Sequence, residues 1–460
     1  MRVVFLGLDG AIPDLVFERF ADELPHLQQL ANAGCYGRLE SVVPPVTVPA
    51  WACAMTGRDP GELGIYGFAR RVPRDYGQEP VDATDVRHEP IWDRAGRAGL
   101  PVIVVGVPPG YPPRRVEGCQ VSCFLAPGPH RPYTYPRSLA DELERAVGPY
   151  GFDVADFRRR PKPEVVQAVH EMTRRRFRWF EHLLKTRDWS LAILVDMGPD
   201  RIQHALLSHL DERHPRHVPN SPLGHAILDY YRALDHQVGA LVDQLPPDTA
   251  VLVVSDHGAR PMQGGVCLNE WLERNGYLVL KEQAPAGPFR PELVDWTRTR
   301  AWGLGGYAGR VHVNLRGREP LGIVPEDERD ALCGEIAERL ATLTAPDGGP
   351  LATQAMLPEM LYRECSGWPP DLLVEFGALD YRALGRLRSG TLHLPVNDGD
   401  PDDANHDRQG IFILRAGDPA ARGEVQGRRL LDCHQLVAEL LGLGSGTPGG
   451  GSTGSRRDAR

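Results

Sequence analysis

Short runs of valine, isoleucine and leucine recur along the chain and alternate with segments of helical periodicity. Apolar runs without polar alternation are typical of parallel strands that are buried on both faces. We predict core strands at residues 3–8, 102–105, 191–195, 250–254, 311–315, 372–376 and 411–414. Their alternation with helices predicts an α/β fold in which a largely parallel sheet is sandwiched by helices.

Proline and glycine mark the ends of predicted helices and loops. Residues 25–33 and 49–56 each begin with proline and are followed by glycine, a combination that favours a helix between them. Residues 223–245 carry a longer amphipathic pattern, and residues 284–291 are rich in proline. From these boundaries we predict an α/β core over residues 1–284, a smaller inserted cap subdomain over 285–395 and a return to the core over 396–443. The tail, residues 444–460, is rich in glycine and serine and is expected to be disordered.

Composition narrows the classes of partner. Of the 460 residues, 42% are hydrophobic and 25% are charged, which is ordinary globular composition. The net charge of −9 gives no general attraction to a polyanion, so we expect no nucleic-acid polymer as partner. The eight cysteines are scattered without metal-binding or redox spacing, which indicates reduced, packed thiols.

The apolar run at the N-terminus is too short for the core of a signal peptide and is closed by Asp9. No stretch approaches the roughly 20 apolar residues that a membrane span requires. We therefore expect no membrane association and a cytoplasmic location.

Polar residues follow three of the predicted strands, where open α/β sheets bind ligands. Asp9 follows the first strand, Asp200 and His204 follow the strand at 191–195, and Asp256 with His257 follows the strand at 250–254. Asp200 and His204 are four residues apart, so a helix starting near Pro199 would place both on one face. Each pair alone has an ordinary alternative, as a helix cap or a surface pair. Together, oxygen and nitrogen donors without thiolate indicate a site for zinc or manganese.

Thr47 is a candidate nucleophile, since it lies just before the helix predicted to begin at Pro49. Free backbone N–H groups and the helix dipole favour a phosphate at such a position. The alternative is that Thr47 caps this helix. Arg58, Arg70 and Arg71 follow the helix and could reach a phosphate or be solvated loop residues. The glycine-rich residues 303–309 resemble a phosphate cradle, but without a strand and helix around them a flexible loop is the better interpretation.

Several separated motifs occur here in an order that resembles the alkaline phosphatase superfamily, in its type I phosphodiesterase/nucleotide pyrophosphatase branch. The resemblance covers most of residues 2–443. The matching segments are residues 6–10 (Leu-Gly-Leu-Asp-Gly), 44–51 (Pro-Pro-Val-Thr-Val-Pro-Ala-Trp), 56–57 (Thr-Gly), 200–204 (Asp-Arg-Ile-Gln-His), 254–258 (Val-Ser-Asp-His-Gly), 405–406 (Asn-His) and 410–412 (Gly-Ile-Phe).

The resemblance implies two divalent metal ions, zinc as first choice. It assigns to one metal Asp200, His204 and His406, and to the other Asp9, Thr47, Asp256 and His257. His406 is favoured by the resemblance alone, because spacing leaves His393 as an alternative. Leu63 stands where related sequences tend to carry histidine, and this departure bears on the substrate.

The resulting expectation is a two-metal hydrolase that cleaves a phosphodiester or nucleotide pyrophosphate through a phosphothreonine-type intermediate on Thr47. Its partner would be a small phosphate ester or nucleotide, and residues 285–395 would form the pocket for the leaving group. Alternatives on the same fold are a phosphomonoesterase, a phosphonate or sulfate ester hydrolase, and a phosphomutase. A non-catalytic binding protein is a further alternative, but it would be expected to lack at least one ligand.

Overall fold

The computed structural model describes residues 1–72, 75–397, 401–417 and 422–444. The predicted tail beyond residue 444 lies outside the described residues. The α-helices are α1 (Pro25–Ala33), α2 (Thr47–Thr56), α3 (Pro60–Leu63), α4 (Ile91–Arg97), α5 (Leu139–Val147), α6 (Lys162–Thr186), α7 (Gly198–Leu210), α8 (Ala226–Val242), α9 (Leu268–Arg274), α10 (Arg329–Ala341), α11 (Pro358–Leu361) and α12 (Asp432–Leu440).

The strands, in chain order, are β1 (Val3–Leu8), β2 (Cys35–Glu40), β3 (Ala69–Arg71), β4 (Gln78–Pro80), β5 (Val102–Val105), β6 (Gly118–Val121), β7 (Thr134–Tyr135), β8 (Leu191–Asp196), β9 (Ala250–Val254), β10 (Gly258–Pro261), β11 (Gly264–Cys267), β12 (Ala301–Leu304), β13 (Gly309–Val313), β14 (Gln354–Met356), β15 (Leu372–Glu375), β16 (Tyr381–Leu384), β17 (His393–Leu394), β18 (Ala404–Asp407), β19 (Gln409–Arg415), β20 (Gly423–Glu424) and β21 (Arg428–Arg429).

The main sheet has ten strands in the order β20-β2-β19-β9-β1-β8-β5-β6-β7, with β21 paired to β2. Alternate residues of a strand point to opposite faces, so the apolar run of β1 enters two cores. Val4, Leu6 and Leu8 pack with α1, α6, α7 and α8, whereas Val3 and Phe5 pack with α2, α4 and α12. The predicted α/β sandwich is confirmed, and its central strands β9, β1 and β8 are parallel.

Three of the predicted core strands differ from the expectation of a parallel sheet. The strands predicted at 311–315 and 372–376 are β13 and β15, which lie in a separate antiparallel sheet of order β12-β13-β15-β14. The strand predicted at 411–414 is β19, which is in the main sheet but antiparallel to β2 and β9. An apolar run reports burial on both faces and not direction, and the short β12–β13 connection permits only an antiparallel pair.

A third apolar core lies between the antiparallel sheet and helices α9 and α10. It extends over residues 266–387, with Tyr76 from the preceding segment. None of the helices in the described residues combines the length and apolarity needed to cross a bilayer. The eight cysteines are thiols outside any disulfide, and all but Cys365 are buried.

Candidate active site

The structure brings all seven sequence-predicted residues together at the carboxyl end of the central strands. Asp9 directly follows β1, while Asp256 and His257 follow β9 next to it. Asp200 and His204 lie in the first two turns of α7, which begins just after β8. His406 is on β18, whose pairing with β10 places it opposite Ala259 and close to His257. All seven side chains are buried.

Asp9, Asp256 and His257 form one group, with donor atoms within 4.8 Å of one another. His257 Nε2 lies 3.6 Å from Asp9 Oδ1 and 3.3 Å from Asp256 Oδ2. It is also 3.2 Å from Thr47 Oγ1. His257 Nδ1 is 2.8 Å from the carbonyl of Gly258 and donates to it, so Nε2 faces the group with a lone pair.

Asp200, His204 and His406 form the second group. Asp200 Oδ1 is 3.0 Å from His204 Nε2 and 3.6 Å from His406 Nε2. His204 Nδ1 donates to Asp402 Oδ1 over 2.7 Å, and His406 Nδ1 donates to the carbonyl of Pro45 over 2.7 Å. Both Nε2 atoms therefore face the group, and each ring is oriented by a partner on its other nitrogen. A cation that replaced the Nε2 proton of His204 would find this nitrogen already in position.

The two groups differ in the balance of charge among their side chains. Burial, together with the Asp200 carboxylate, raises the pKa of Asp9 well above its usual value. Burial and the charge of Asp9 do the same to the pKa of Asp256, and burial lowers the pKa of His257 to about 4. Burial also disfavours the charged form of His204, but Asp200 and other carboxylate neighbours raise its pKa to about 10. The first group therefore lacks compensating positive charge, which a bound cation would supply.

Two buried carboxylate oxygens support the same conclusion. Asp9 Oδ1 and Asp256 Oδ2 have no hydrogen-bond partner among the described residues. Buried polar atoms are nearly always partnered, so oxygens directed into a group of ligand atoms indicate a cation. The donors are oxygen and nitrogen only, which fits zinc or manganese. The residues present thus fit two divalent metal ions, one at each group.

Thr47 begins α2 and does not occupy its capping position. The N-cap is Val46, in extended conformation, and the first helical hydrogen bond runs from Ala50 N–H to the Val46 carbonyl over 2.9 Å. The N–H groups of Thr47 and Val48 therefore have no partner within the helix. The Thr47 hydroxyl is directed at His257, and the capping position of α2 belongs to Val46.

Comparison with known protein families identifies the family of this chain. The profile of the family described as "Type I phosphodiesterase / nucleotide pyrophosphatase" matches residues 3–375. The chain belongs to this family. It is accordingly a hydrolase of the phosphodiesterase/nucleotide pyrophosphatase type, and its fold is that of the alkaline phosphatase superfamily. No curated protein sequence matches the chain significantly.

Solved structures share the fold at low sequence identity. Human ectonucleotide pyrophosphatase/phosphodiesterase 5 is 16% identical with a TM-score of 0.58, over 98% of this chain and 97% of that one. An inactive variant of the murine protein in complex with AMP is 15% identical with a TM-score of 0.57, over 98% and 97%. Phosphonoacetate hydrolase from Sinorhizobium meliloti in complex with phosphonoacetate is 17% identical with a TM-score of 0.61, over 96% of both chains. At these identities the likeness extends to the fold alone.

Trp51 contacts a carboxylate of the site, a role that the sequence pattern did not predict. Its indole Nε1 donates to Asp9 Oδ2 over 2.6 Å. A side chain at Gly7 would lie 2.5 Å from the Trp51 ring, so glycine in β1 is what allows the tryptophan to approach. Trp51 belongs to the segment that carries the family resemblance, but nothing in the sequence shows which carboxylate it contacts.

Tyr307 and Arg382 also meet the site, and sequence analysis found neither. The glycine-rich residues 303–309 form a turn between β12 and β13 that places the Tyr307 ring against His406, with centroids 3.4 Å apart. The Arg382 guanidinium covers the Tyr307 ring at 4.2 Å and pairs with Asp402 at 3.0 Å. The glycines therefore shape a hairpin turn that carries an aromatic side chain to the ligands.

The remaining candidates from the sequence lie elsewhere. Arg58 pairs with Glu62, and His393 is on β17, away from the two ligand groups. Arg71 is 5% exposed and pairs with Glu319, so its interpretation as a solvated loop residue is wrong. Of the two late histidines, His406 is the one that lies with Asp200 and His204.

Proposed function

We propose that the chain hydrolyses a phosphodiester or a nucleotide pyrophosphate with Thr47 as the nucleophile. The observation that carries this proposal is the position of Thr47 Oγ1, buried at the N-terminus of α2 and 3.2 Å from His257 Nε2. Membership of the phosphodiesterase family supports the reaction class. The small anionic ligands of the solved relatives, AMP and phosphonoacetate, support a small-molecule substrate.

The seven residues divide into two sets of ligands for divalent cations, zinc by preference and manganese as the alternative. The first set is Asp9, Thr47, Asp256 and His257, and the second is Asp200, His204 and His406. Bound cations of this kind neutralise charge on phosphoryl oxygens and lower the pKa of a coordinated hydroxyl.

Thr47 Oγ1 loses its proton and forms the bond to phosphorus while the bond to the leaving oxygen breaks, and the leaving oxygen takes up a proton. Water then hydrolyses the resulting phosphothreonine. The N–H groups of Thr47 and Val48, at the positive end of α2, stabilise negative charge on the phosphoryl group. Trp51 donates its indole N–H to Asp9 and so orients one residue of the ligand set that contains Thr47.

Residues 285–395 are proposed as the cap that selects the leaving group. They contribute the antiparallel sheet β12-β13-β15-β14 and, from its first turn, the Tyr307 ring that stacks on His406. A segment that contacts a ligand of the site while packing around its own apolar core is suited to vary the pocket without changing the ligands.

The surroundings of Thr47 favour an esterified phosphate over a monoester. Val46, Val48 and Trp51 are buried next to it along the chain and bring no charged side chain to its hydroxyl, and the Trp51 indole N–H is taken up by Asp9. Arg201 lies next to the ligands, but Asp153 and Asp200 hold its guanidinium. A monoester carries an additional charged oxygen, which enzymes of that kind usually match with a dedicated donor.

The test is kcat/KM for an aryl phosphodiester, the matching monoester, an aryl phosphonate and an aryl sulfate under one metal condition. We expect the diester to be preferred. A monoester advantage of about tenfold or more, about 1.4 kcal/mol in transition-state free energy, would reassign the chain as a phosphomonoesterase. If metal-loaded protein hydrolysed none of the four substrates, the proposal as a whole would be contradicted.

A further inference from the structure

A cavity of about 320 Å³ opens beside the segment that follows α2, and basic side chains dominate its wall. We call it the basic cavity. Its lining includes Arg71, Arg87, Arg310, His312 and Trp368. Its volume is at the lower end of the range for small-molecule sites, which suits one group of a ligand or one small anion.

His312 is the most unusual residue of this wall. It lies on β13, is 1% exposed, and neither Nδ1 nor Nε2 has a hydrogen-bond partner among the described residues. Burial, reinforced by the charges of Arg71 and Arg310, lowers the pKa of His312 well below its usual value, so the ring is neutral. A neutral imidazole offers one donor and one acceptor, and burying both without a partner is costly unless a ligand meets them.

Arg310 keeps an uncompensated positive charge, and Arg71 keeps an unused donor. Among the described residues, Arg310 donates to the carbonyls of Ala69, over 3.1 Å, and Gly305, over 3.4 Å, and to no other acceptor. Within the described part of the chain no carboxylate forms an ion pair with it, and burial lowers its pKa to about 10. Arg71 pairs with Glu319 through Nη2, while its buried Nη1 has no partner among the described residues. A buried guanidinium without a carboxylate is suited to an anion.

The carboxylates of the same wall are already engaged. Glu62 accepts from Arg58 over 2.7 Å, and Asp85 pairs with Arg70 at 3.1 Å. Neither therefore neutralises Arg310. The cavity keeps a net positive charge next to the unpartnered nitrogens of His312.

We propose that the basic cavity binds an oxyanion, a phosphate or carboxylate group, held by Arg71, Arg310 and His312. Arg310 follows the Tyr307 turn on β13, and Tyr307 stacks on His406, so the cavity adjoins the candidate active site through one short segment. The oxyanion is either a distal group of the substrate's leaving moiety or a free anion. Only the first of these rests on the proposed hydrolysis.

The binding test is a titration of the metal-loaded protein with inorganic phosphate, followed by tryptophan fluorescence, since Trp368 lies in the cavity wall. We expect a saturable change that is absent from Trp368→Phe. Its midpoint should rise at least tenfold in Arg310→Met and in His312→Phe, and should stay unchanged in Arg38→Met. Arg38 is a matched control because it lines another cavity and is already paired with Asp14.

His312→Phe retains a ring against Trp302, whose centroid is 5.3 Å away, and thermal melting checks that both variants fold. A midpoint unchanged in both variants, or no saturable signal that depends on Trp368, would overturn the proposal. The titration needs no turnover, so inactivity of the enzyme on every ester leaves this test intact.

A kinetic measurement then identifies the source of the oxyanion. We compare kcat/KM for a diester whose leaving group bears a carboxylate with that for its uncharged counterpart, in the parent and in Arg310→Met. A tenfold fall of this ratio in the variant, along with weakened phosphate binding, assigns the cavity to the substrate. An unchanged ratio with weakened phosphate binding assigns it to a free anion.

Discussion

Replacing Asp402 by asparagine should remove one metal ion selectively, because Asp402 sets the proton position on His204. Asp402 is fully buried; its Oδ1 accepts from His204 Nδ1 over 2.7 Å, and its Oδ2 accepts from Arg382 over 3.0 Å and Arg158 over 2.7 Å. An asparagine has one acceptor oxygen, and two guanidinium donors claim it. Its NH₂ group must then face His204 Nδ1.

The consequence for His204 is a change of tautomer. In the metal-bound protein His204 would carry a single proton, on Nδ1. To accept from the new amide, Nδ1 must give up this proton, which then occupies Nε2, the atom 3.0 Å from Asp200 Oδ1. A protonated Nε2 cannot bind a metal. Loss of a hydrogen-bonding partner behind a metal-binding histidine typically costs about 10–100-fold in affinity. That range corresponds to about 1.4–2.8 kcal/mol.

The assay is elemental analysis of the protein after equilibration with a series of chelator concentrations. We expect Asp402→Asn to lose one of its two ions at a free chelator concentration about 10–100-fold lower than the parent requires. Asp403→Asn is the matched control, since the Asp403 side chain is also buried but accepts from Ser208 and Arg216. Asp403 contacts His204 only through its backbone N–H, which the substitution leaves in place. If both ions left the variant and the parent in the same range, the tautomer argument would be refuted.

Further predictions concern the nucleophile, the aromatic cover and acid stability. Thr47→Ala should lower kcat on an aryl diester on the order of a thousandfold or more, while elemental analysis shows the metal retained, and Thr47→Ser should keep activity. An alanine variant whose kcat is close to that of the parent would place the nucleophile elsewhere. Tyr307→Ala should lower kcat/KM about tenfold because His406 loses its stacked ring, whereas Tyr307→Phe should not, and equal losses would implicate the hydroxyl instead. Burial opposes ionisation of Asp371, but Arg318 and its neighbours hold the pKa of this carboxyl below its usual value. The ionised carboxylate therefore stabilises the folded state fully above the unfolded pKa of about 3.9, and this contribution is lost as pH falls through the lower folded pKa. Asp371→Asn should therefore lower the unfolding free energy by about 3 kcal/mol at pH 7, and the gap to the parent in urea unfolding should narrow below about pH 4; a constant gap would contradict this.

The sequence by itself determined the central strands and most of the candidate ligands. Strands β1, β5 and β9 have the bounds predicted from their apolar runs, and α1 has those predicted from its proline and glycine. Asp9 and Asp256 were identifiable because they lie just after strands, and Asp200 because it lies at the start of the helix that follows β8. His204 was identifiable because it lies one helical turn from Asp200. Such signals are local, since strand ends and helix faces are fixed by neighbouring residues.

Only the tertiary structure decided which residues hold those ligands in place. The partner of His204 is 198 residues away in Asp402, and that of His406 is 361 residues away at the Pro45 carbonyl. The tertiary structure likewise decided the antiparallel direction of β19 and the position of Tyr307 over His406. These features depend on hydrogen bonds and ring contacts between distant segments, and nothing in the local pattern of apolar and polar residues encodes the choice of partner.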